Sequence, residues 1–596
     1  MKIATLLFTY HRSYHTEQVI SSLKKNTVLP QKLLIFQDGL KQGGDVSEWK
    51  KVNSLIHSID WCDKEVIVSE YNKGLDASIL AGIDYAFQEY DAVIVLEDDC
   101  VTAPNFMRFM TQCLEKYRNE DKVHSVSGYI WPLGFAKKDA DILFCGRFSS
   151  WGWGTWKNRW DSYEKDYTVL REIKHSPELS RELALWGMDL EQMLIRNAKG
   201  EDDVWDVHWA LNAIHSGRIC INPYQSLIQN IGCDGTGIHS GETDRFQVVL
   251  SEEVKEKFEL PDEVAVLENT KEIFTKLYGS YTAVEKATGI KENVLIYGLG
   301  KFFFQNEKEI NEKYYIKAFI DKNHKGWFAG RKIIQTNEIE QYEYDKIIIM
   351  VWDIGECLNI AKELLNRKVS CEKLVLGHNY YGNYRKKIKK ITVLPDGRLS
   401  ISIGGISVKI CSKKEFNNTY DVLVKQMYQY YMNNEKKDIV YDIGINIGET
   451  VLYFLNSDKV EKIYAYEPFH EIYPVAVDNL QKCLYNPEKI EILQYGIEGK
   501  AYEKYQTAEQ LMPIMQRHWD CNMILKVNCE SEEYDIIEEL SEKGILDRFS
   551  VIMAVEHDNR KDSILRYLKN AGFSYRCNMI RENVNFIYAY HTKNAY

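Results

Sequence analysis

Three adjacent carboxylates, Glu97, Asp98 and Asp99, directly follow the apolar residues 93–96. A short, mostly β-branched run predicts a strand buried on both faces, as in parallel sheets, and ligands bind beyond the carboxyl ends of such strands. Because side chains alternate along an extended segment, Glu97 and Asp99 should point one way and Asp98 the other. Like charges this close repel unless a cation shares the site, and hard oxygen ligands suit Mg²⁺ or Mn²⁺. The alternatives are therefore a metal–nucleotide site and a solvated acidic turn.

The elements that must position these acids are strands and helices in regular alternation. The predicted strands are residues 2–8, 32–36, 65–69 and 91–96. Such alternation predicts a doubly wound α/β sheet. Each strand delivers a polar cluster to the same edge, and the first three clusters are Thr9-Tyr10-His11-Arg12, Gln37-Asp38-Gly39 and Asn72-Lys73-Gly74.

In this order the four clusters resemble the motifs of GT-A glycosyltransferases of the family-2 kind. Residues 96–106 are similar to the equivalent stretch of eukaryotic N-acetylglucosaminyltransferase I, and the likeness covers residues 1–245. The resemblance implies a nucleotide-sugar donor and a divalent cation, Mn²⁺ or Mg²⁺, that stabilises the leaving diphosphate. The donor-binding residues implied are Thr9, Tyr10, Arg12, Asp38, Asn72, Lys73, Glu97 and Asp98.

Within that set the resemblance assigns separate tasks. Arg12 and Asp38 would hold the nucleobase and ribose, and Asp99 would bind the metal directly. Glu97 and Asp98 would contact the ribose, the sugar or the water shell of the metal. Lys73 would add a point charge, although a solvated loop lysine is an equal alternative.

A base must also take the proton from the acceptor hydroxyl. After Asp203 the apolar spacing becomes helical, which makes Asp203 a candidate N-cap and Asp206 a candidate capping-box partner at the third helical position. The resemblance instead places Asp206 at the catalytic base, with Asp203 as the reserve candidate. Both interpretations of the two aspartates stay open.

Two further segments complete the predicted site. His239 lies in a glycine-rich stretch and either completes the metal shell or is an ordinary loop residue. The aromatic cluster 151–156 is too rich in glycine for an ordinary helix. We interpret Trp151 and Trp153 as a wall of the sugar or acceptor pocket, with hydrophobic core as the alternative.

The middle of the chain, residues 261–382, predicts a helical connector and then a small Rossmann-like domain. A strand at 293–297 is followed by Gly298 and Gly300, and a second strand ends at Asp321, where a ribose-binding acid would sit. Phe303 occupies the place of the third fingerprint glycine. We therefore favour a structural or assembly module over a nucleotide site.

Residues 383–596 open with a predicted hairpin, in which 399–410 form the second strand. The loop Asp442-Ile-Gly444-Ile-Asn446-Ile-Gly448 then follows a strand, and Glu467 ends the next one. Glycines let the backbone approach a ligand, and an acid at that place can bind both ribose hydroxyls. The spacing suits S-adenosylmethionine better than a dinucleotide.

This region resembles FkbM-type methyltransferases, which implies a SAM-methyltransferase-like Rossmann domain. Residues 524–532 are similar to that family's Lys-hydrophobic-Asp-hydrophobic-Glu-Gly-x-Glu segment, but Asn528 replaces the Asp and Ser531 the Gly. The resemblance implies S-adenosylmethionine binding by Asp442, Gly444, Asn446, Gly448 and Glu467. An active methyltransferase and a degenerate scaffold are the two alternatives.

Composition limits the remaining possibilities. A chain of 596 residues is too long for one core, and 45% hydrophobic with 27% charged residues is typical of a globular protein. The net charge of −12 argues against nucleic acid as the main partner. Thirteen scattered cysteines without a C-x-x-C pair fit a reducing compartment, and no apolar run reaches membrane-spanning length, so we expect a cytoplasmic protein.

These observations predict a three-domain α/β protein, with a GT-A domain at 1–260, a connector and Rossmann-like domain at 261–382, and an FkbM-like domain at 383–596. The predicted activity is metal-dependent, inverting transfer of a hexosyl or N-acetylhexosaminyl group from a nucleotide sugar to a glycan or glycoprotein. The C-terminal domain would methylate the sugar product, or only scaffold a complex. The sequence is also compatible with a homo-oligomer.

Overall fold

The computed structural model describes residues 1–135, 140–202, 204–236, 243–283, 291–380, 387–481, 483, 488–498, 505–529, 532–557 and 561–591. The chain forms two compact units. The first comprises Met1–Leu295 and Glu307–Glu343, and the second Ile296–Asn306 and Tyr344–Tyr596. Both consist of mixed or parallel sheets with helices, which confirms the α/β fold class. The three predicted domain boundaries stay predictions.

The strands of the first unit include, near their predicted bounds, the four predicted at residues 2–8, 32–36, 65–69 and 91–96. They are β1 (Ile3–Thr9), β2 (Leu33–Gln37), β3 (Lys64–Val68), β4 (Ala92–Glu97), β5 (Cys100–Thr102), β6 (Val123–Ser127), β7 (Ile142–Cys145), β8 (Trp153–Trp156), β9 (Ile219–Pro223), β10 (Ile228–Asn230), β11 (Glu292–Tyr297, within which the chain leaves this unit), β12 (Tyr314–Ile320), β13 (Gly326–Phe328) and β14 (Arg331–Ile334).

One eight-stranded sheet, in the order β3-β2-β1-β4-β8-β6-β9-β7, supplies the main core of this unit. Strands β1 to β4 run parallel, so their carboxyl ends meet at one edge. Every residue of β1 is buried, as expected for a strand covered on both faces. Strands β5 and β10 pair antiparallel beside the acids that follow β4. The predicted doubly wound arrangement of the first four strands is confirmed.

Side-chain caps start some of the helices of this unit. Asp45, for example, starts the second helix because its carboxylate accepts the N–H groups of Ser47 and Glu48. The helices are Ser13–Lys24, Val46–His57, Leu75–Ala86, Phe106–Lys116, Lys157–Trp160, Val169–His175, Pro177–Trp186, Leu190–Ala198, Asp206–His215, Glu268–Tyr278 and Lys301–Lys313, the last crossing the limit of the unit.

The second unit contains two larger sheets and one short strand pair. Its strands are β15 (Lys346–Ile349), β16 (Leu374–Leu376), β17 (Lys390–Val393), β18 (Leu399–Ile403), β19 (Ile406–Ile410), β20 (Asp438–Ile443), β21 (Val460–Tyr466), β22 (Ile490–Leu493), β23 (Gly496–Glu498), β24 (Tyr505–Thr507), β25 (Asn522–Val527), β26 (Val551–Glu556), β27 (Ser574–Arg581) and β28 (Val584–Tyr590). Its helices are Ile354–Asn366, Lys413–Thr419, Glu449–Leu455, Tyr473–Leu480, Met512–Gln516, Glu533–Glu542 and Lys561–Asn570.

Strands β15 to β19 pair in chain order, and the seven-stranded sheet runs β22-β21-β20-β25-β26-β28-β27. The predicted single strand 399–410 is wrong, because Gly404 and Gly405 adopt positive φ and divide it into β18 and β19. Five strands of this sheet are parallel, namely β20, β21, β22, β25 and β26. Their carboxyl ends therefore meet at one edge of the sheet. All thirteen cysteines lie among the described residues, and none of them forms a disulfide there.

Candidate functional site

The acids after β4 lie against Arg12 at the carboxyl edge of the first sheet. One guanidinium nitrogen of Arg12, Nη2, donates to Asp98 and also, at 2.9 Å, to Asp99 Oδ2. Burial alone would lower the pKa of Arg12, but the charges of the two carboxylates raise it. Burial raises the pKa of Asp98 to about 6, even though Arg12 lowers it. The structure therefore brings three predicted site residues together in one ion-paired group.

Asp99 is the most firmly oriented of these acids. Its Oδ1 accepts a hydrogen bond from Asn230 Nδ2 at 3.0 Å, and its carbonyl oxygen accepts from the Ile231 N–H at 2.9 Å. A Cβ at Gly232 would lie 2.2 Å from Asp99 Oδ2, so a larger residue there would push the Asp99 carboxylate out of its present position. Asn230 and Gly232 were absent from the predicted site, because polar and glycine residues of a short strand and loop carry no distinctive spacing.

Glu97 and Asp206 form the second half of this acidic cluster. Burial raises the pKa of Glu97 well above its usual value, and the charges of Asp99, Asp206 and Asp98 raise it further. Asp206 Oδ2 accepts a hydrogen bond from Ser150 Oγ at 3.0 Å. The fold thus brings the residue that resembles the catalytic base close enough to Glu97 for their charges to interact.

The capping-box interpretation of Asp206 is wrong. Asp206 is the first residue of its helix, not the third, and the residue before it, Trp205, makes no side-chain cap. The Asp206 carboxylate instead contacts Ser150. Asp203, the reserve base and candidate N-cap, lies outside the described residues, and so does His239.

Asp38 organises the loop that follows β3. Its two carboxylate oxygens accept the backbone N–H of Lys73 at 2.9 Å, the backbone N–H of Gly74 at 3.0 Å and the side-chain amide of Asn72 at 2.8 Å. At Gly39 a Cβ would lie 2.2 Å from the carbonyl carbon of Tyr71. Asp38 and Asn72 therefore join two loops at the sheet edge, and Lys73 is exposed beside them. Donor binding by these three residues stays a prediction.

The remaining donor-binding residues lie at the end of β1. The Thr9 hydroxyl donates to the Phe36 carbonyl at 3.2 Å, and the Tyr10 hydroxyl accepts the Lys41 N–H at 3.1 Å. The first contact joins the end of β1 to β2, and the second joins it to the loop after β2. The two residues are at the predicted edge, and their contact with a donor stays a prediction.

Trp153 belongs to the core and cannot form an acceptor wall. Its ring is 0% exposed and stacks on Trp205 with centroids 5.3 Å apart. Phe148 packs edge-on at 5.1 Å. Every residue of β8 is buried, so this strand is covered on both faces. Trp151 is half-buried and packs edge-on against Tyr129, and its place in the acceptor pocket stays a prediction.

The case for a metal ion at the acidic cluster depends on the chemistry of its carboxylate oxygens. Within the parts of the chain that the structure describes, no group of three or more His, Cys, Asp or Glu side chains has the arrangement of a metal site. Asp98 and Asp99 share Arg12 instead, while burial and then the neighbouring acids keep the pKa of Glu97 raised. The oxygen donors fit a hard divalent cation, which would relieve this repulsion.

In the second unit, the loop after β20 forms one wall of a cavity of about 790 Å³. Gly444 has φ +80°, and a Cβ there would lie 2.1 Å from the Asn528 carbonyl oxygen. Asn446 also adopts a positive φ, +52°. Gly444 and Asn446 line the cavity, whereas Gly448, at φ +89°, starts the helix Glu449–Leu455 and faces Leu480. The structure therefore gives Gly448 a conformational role in this loop rather than a place on the cavity wall.

Glu467 lies at the end of β21 and also lines the cavity. Its carboxylate accepts the Asn446 N–H at 3.0 Å and the Phe469 N–H at 3.1 Å. Burial raises the pKa of Glu467, although these hydrogen bonds lower it. Each oxygen keeps a second acceptor position for a ribose hydroxyl. The predicted pairing of a glycine loop with an acid on the next strand is thus present.

Asp442 supports the loop from beneath and does not line the cavity. It is fully buried, accepts the Thr450 hydroxyl at 2.5 Å and forms an ion pair of 2.8 Å with Lys526 Nζ. Lys526 Nζ also donates to the Gly444 carbonyl at 2.5 Å. Burial opposes the charge on Lys526, but Asp442 raises its pKa. The prediction that Asp442 contacts the cofactor directly is therefore wrong, because its buried carboxylate binds Lys526 and Thr450.

Comparison with known proteins gives partial likenesses. The family model described as "C2185-like, N-terminal" matches residues 290–375. No curated protein matches the chain. No helix among the described residues has both the length and the apolar character needed to cross a membrane.

Three solved structures illustrate where the chain has likenesses. TarS residues 1–349 of S. aureus is 10% identical, with 39% of this chain and 62% of that chain covered and a TM-score of 0.24. TrmK of M. capricolum, in complex with S-adenosyl-homocysteine, is 12% identical over 29% and 68%, with a TM-score of 0.22. Precorrin-6y C5,15-methyltransferase of Geobacter metallireducens is 15% identical over 31% and 90%, with a TM-score of 0.20. Each likeness covers less than half of this chain.

Proposed function

We propose that the first unit transfers a sugar from a nucleotide-sugar donor to a hydroxyl group of a glycan or protein. The observation that carries this proposal is an acidic cluster at the carboxyl edge of strands β1 to β4. Arg12 pairs with Asp98 and Asp99, and Glu97 lies within reach of the charges of Asp98, Asp99 and Asp206. A leaving nucleoside diphosphate needs positive charge, and an attacking hydroxyl needs a base. This edge offers both.

In the proposed reaction the acceptor oxygen attacks the anomeric carbon while the bond to the diphosphate breaks, so the configuration inverts. Asp206 takes the hydroxyl proton, and Ser150 orients its carboxylate through the 3.0 Å hydrogen bond. Arg12 offers a fixed positive charge beside the diphosphate. Mn²⁺ or Mg²⁺ held by Asp99, with Glu97 and Asp98, would supply further counter-charge to the leaving group.

The test is a scan of nucleotide sugars with and without Mn²⁺, in which the released nucleotide is measured. We expect release from one donor class, abolished by a chelator and by Asp99→Asn. Asp60→Asn, an exposed acid of the same unit, is the matched control and should keep full activity. No release from any donor would overturn the glycosyltransferase proposal, and release that resists the chelator would overturn its metal dependence.

For the second unit we propose S-adenosylmethionine binding and methyl transfer to a hydroxyl of the glycosylated product. The supporting observation is the cavity of about 790 Å³ between the glycine loop and Glu467. Gly444 and Asn446 of the loop and Glu467 of the next strand all line this cavity, as a cofactor that contacts both would require. Calorimetry with S-adenosylmethionine and the full chain is the test, and absence of binding would favour the scaffold alternative.

A further inference from the structure

A histidine–glutamate pair lies on the wall of the second unit's cavity. His557 follows β26 and lines the cavity, and Glu533 begins the helix Glu533–Glu542 behind it. The Glu533 carboxylate accepts the His557 backbone N–H at 2.9 Å and the ring nitrogen Nδ1 at 2.7 Å. The side chain of Glu533 is 0% exposed, whereas that of His557 is 16% exposed. The buried acid therefore holds both the backbone and the ring of a histidine on the cavity wall.

This contact determines which ring nitrogen can accept a proton. Glu533 Oε1 can only accept, so Nδ1 carries the hydrogen and Nε2 of the neutral ring is the basic nitrogen. A carboxylate on Nδ1 also stabilises the imidazolium that forms when Nε2 takes a proton. The pair thus has the chemistry of a general base with its orienting acid.

Its place in the sheet fits that task. Across the edge of the sheet the order is Glu467 after β21, the glycine loop after β20, Asn528 after β25 and His557 after β26. Neighbouring strands lie about 4.8 Å apart, so His557 is roughly 10 Å from the glycine loop, on the side opposite Glu467. Asn528 cannot accept a proton, because its amide nitrogen has no basic lone pair. The histidine lies one strand beyond it on the same cavity.

We propose, on the basis of the S-adenosylmethionine function proposed above, that His557 is the general base of methyl transfer to a hydroxyl and that Glu533 positions it. The hydroxyl oxygen attacks the sulfonium methyl group, and the electron pair of the breaking C–S bond stays on sulfur, which yields S-adenosylhomocysteine. The hydroxyl proton goes to Nε2 and then to solvent. The other charged or titratable groups that line the cavity are Lys414, Tyr420, Asp421, Lys425, Tyr428, Glu449, Glu467, Glu471, Lys526, Cys529, Glu532 and Arg581, and Glu556 precedes the histidine.

The test is an NMR titration of the full chain labelled on histidine. The signal of His557, one of 14 histidines, is assigned by its loss in His557→Gln. The pKa of His557 is then measured with saturating S-adenosylmethionine and with saturating S-adenosylhomocysteine. Because only the first carries a positive sulfonium, a base facing the transferred methyl should have a pKa lower by roughly one pH unit in that complex. Equal values in the two complexes overturn the proposal.

Two variants separate the roles of the pair. Glu533→Gln should lower the pKa of His557, because the carboxylate 2.7 Å from Nδ1 no longer stabilises the imidazolium, and an unchanged pKa would overturn the positioning role of Glu533. His557→Gln should bind S-adenosylmethionine within about twofold of the wild type by calorimetry, because a base is not needed for binding. A tenfold loss would make His557 a cofactor ligand and overturn its role as base. If the wild type binds neither compound, the S-adenosylmethionine function itself fails.

Discussion

Replacing Lys526 by methionine should destabilise the second unit strongly. The lysine and Asp442 are 1% and 0% exposed, and their charged atoms are 2.8 Å apart. Lys526→Met leaves the carboxylate buried without its counter-charge and removes the hydrogen bond to the Gly444 carbonyl. Breaking such a buried pair costs about 3–5 kcal/mol, because the isolated charge keeps its desolvation penalty.

Urea unfolding, followed by a probe in the second unit, is the assay. With a slope of about 3 kcal/mol per M, the midpoint should fall by about 1–1.7 M. Lys437→Met, an exposed lysine of the same unit, is the matched control and should change stability by less than about 0.5 kcal/mol.

A double variant isolates the cause of the loss. Adding Asp442→Asn to Lys526→Met removes the unpaired charge, so a large part of the stability should return. A single variant that loses less than about 1 kcal/mol, or a double variant no more stable than the single one, would refute the buried ion pair as the support of the glycine loop.

Two further predictions concern the ligands. The affinity of the first unit for Mn²⁺ should fall as the pH drops below 6, because burial raises the pKa of Asp98 to about 6 and this carboxylate is then protonated. Titration calorimetry between pH 5 and 8 measures the affinity. A flat profile would exclude Asp98 from the cation site. Glu467→Ala should weaken S-adenosylmethionine binding about tenfold or more, since two ribose hydrogen bonds are worth about 1.5–3 kcal/mol. Calorimetry measures the affinity, and an unchanged value would mean that the ribose lies elsewhere.

The sequence predicted the elements better than the contacts between side chains. Buried strands such as β1 and β4 follow from apolar runs, because burial on both faces requires them. The polar clusters were predicted at the correct edge for the same reason. That Asp38 would bind the loop after β3 was not predictable, since its partners are backbone N–H groups available at any residue.

Each of three wrong predictions has its own physical origin. Trp153 is buried because β8 is covered on both faces, which a run of alternating Trp and Gly does not reveal. Asp206 is the first residue of its helix. Its exact position was not predictable, because an acid fits several positions of a first turn equally well. Asp442 is buried under its loop because Lys526, 84 residues away in sequence, neutralises it there. A long-range partner decided the place of Asp442, and local spacing contains no record of it.

The proposed transfer depends most directly on Asp206. With a donor identified by nucleotide release, Asp206→Asn should lower turnover about 10²–10⁴-fold, because an amide cannot accept the proton of the acceptor hydroxyl. Donor affinity and the melting temperature should stay near those of the wild type, and Asp60→Asn should change none of the three. A variant that keeps full turnover, or one that loses activity only because it unfolds, would contradict the assignment of Asp206 as the base.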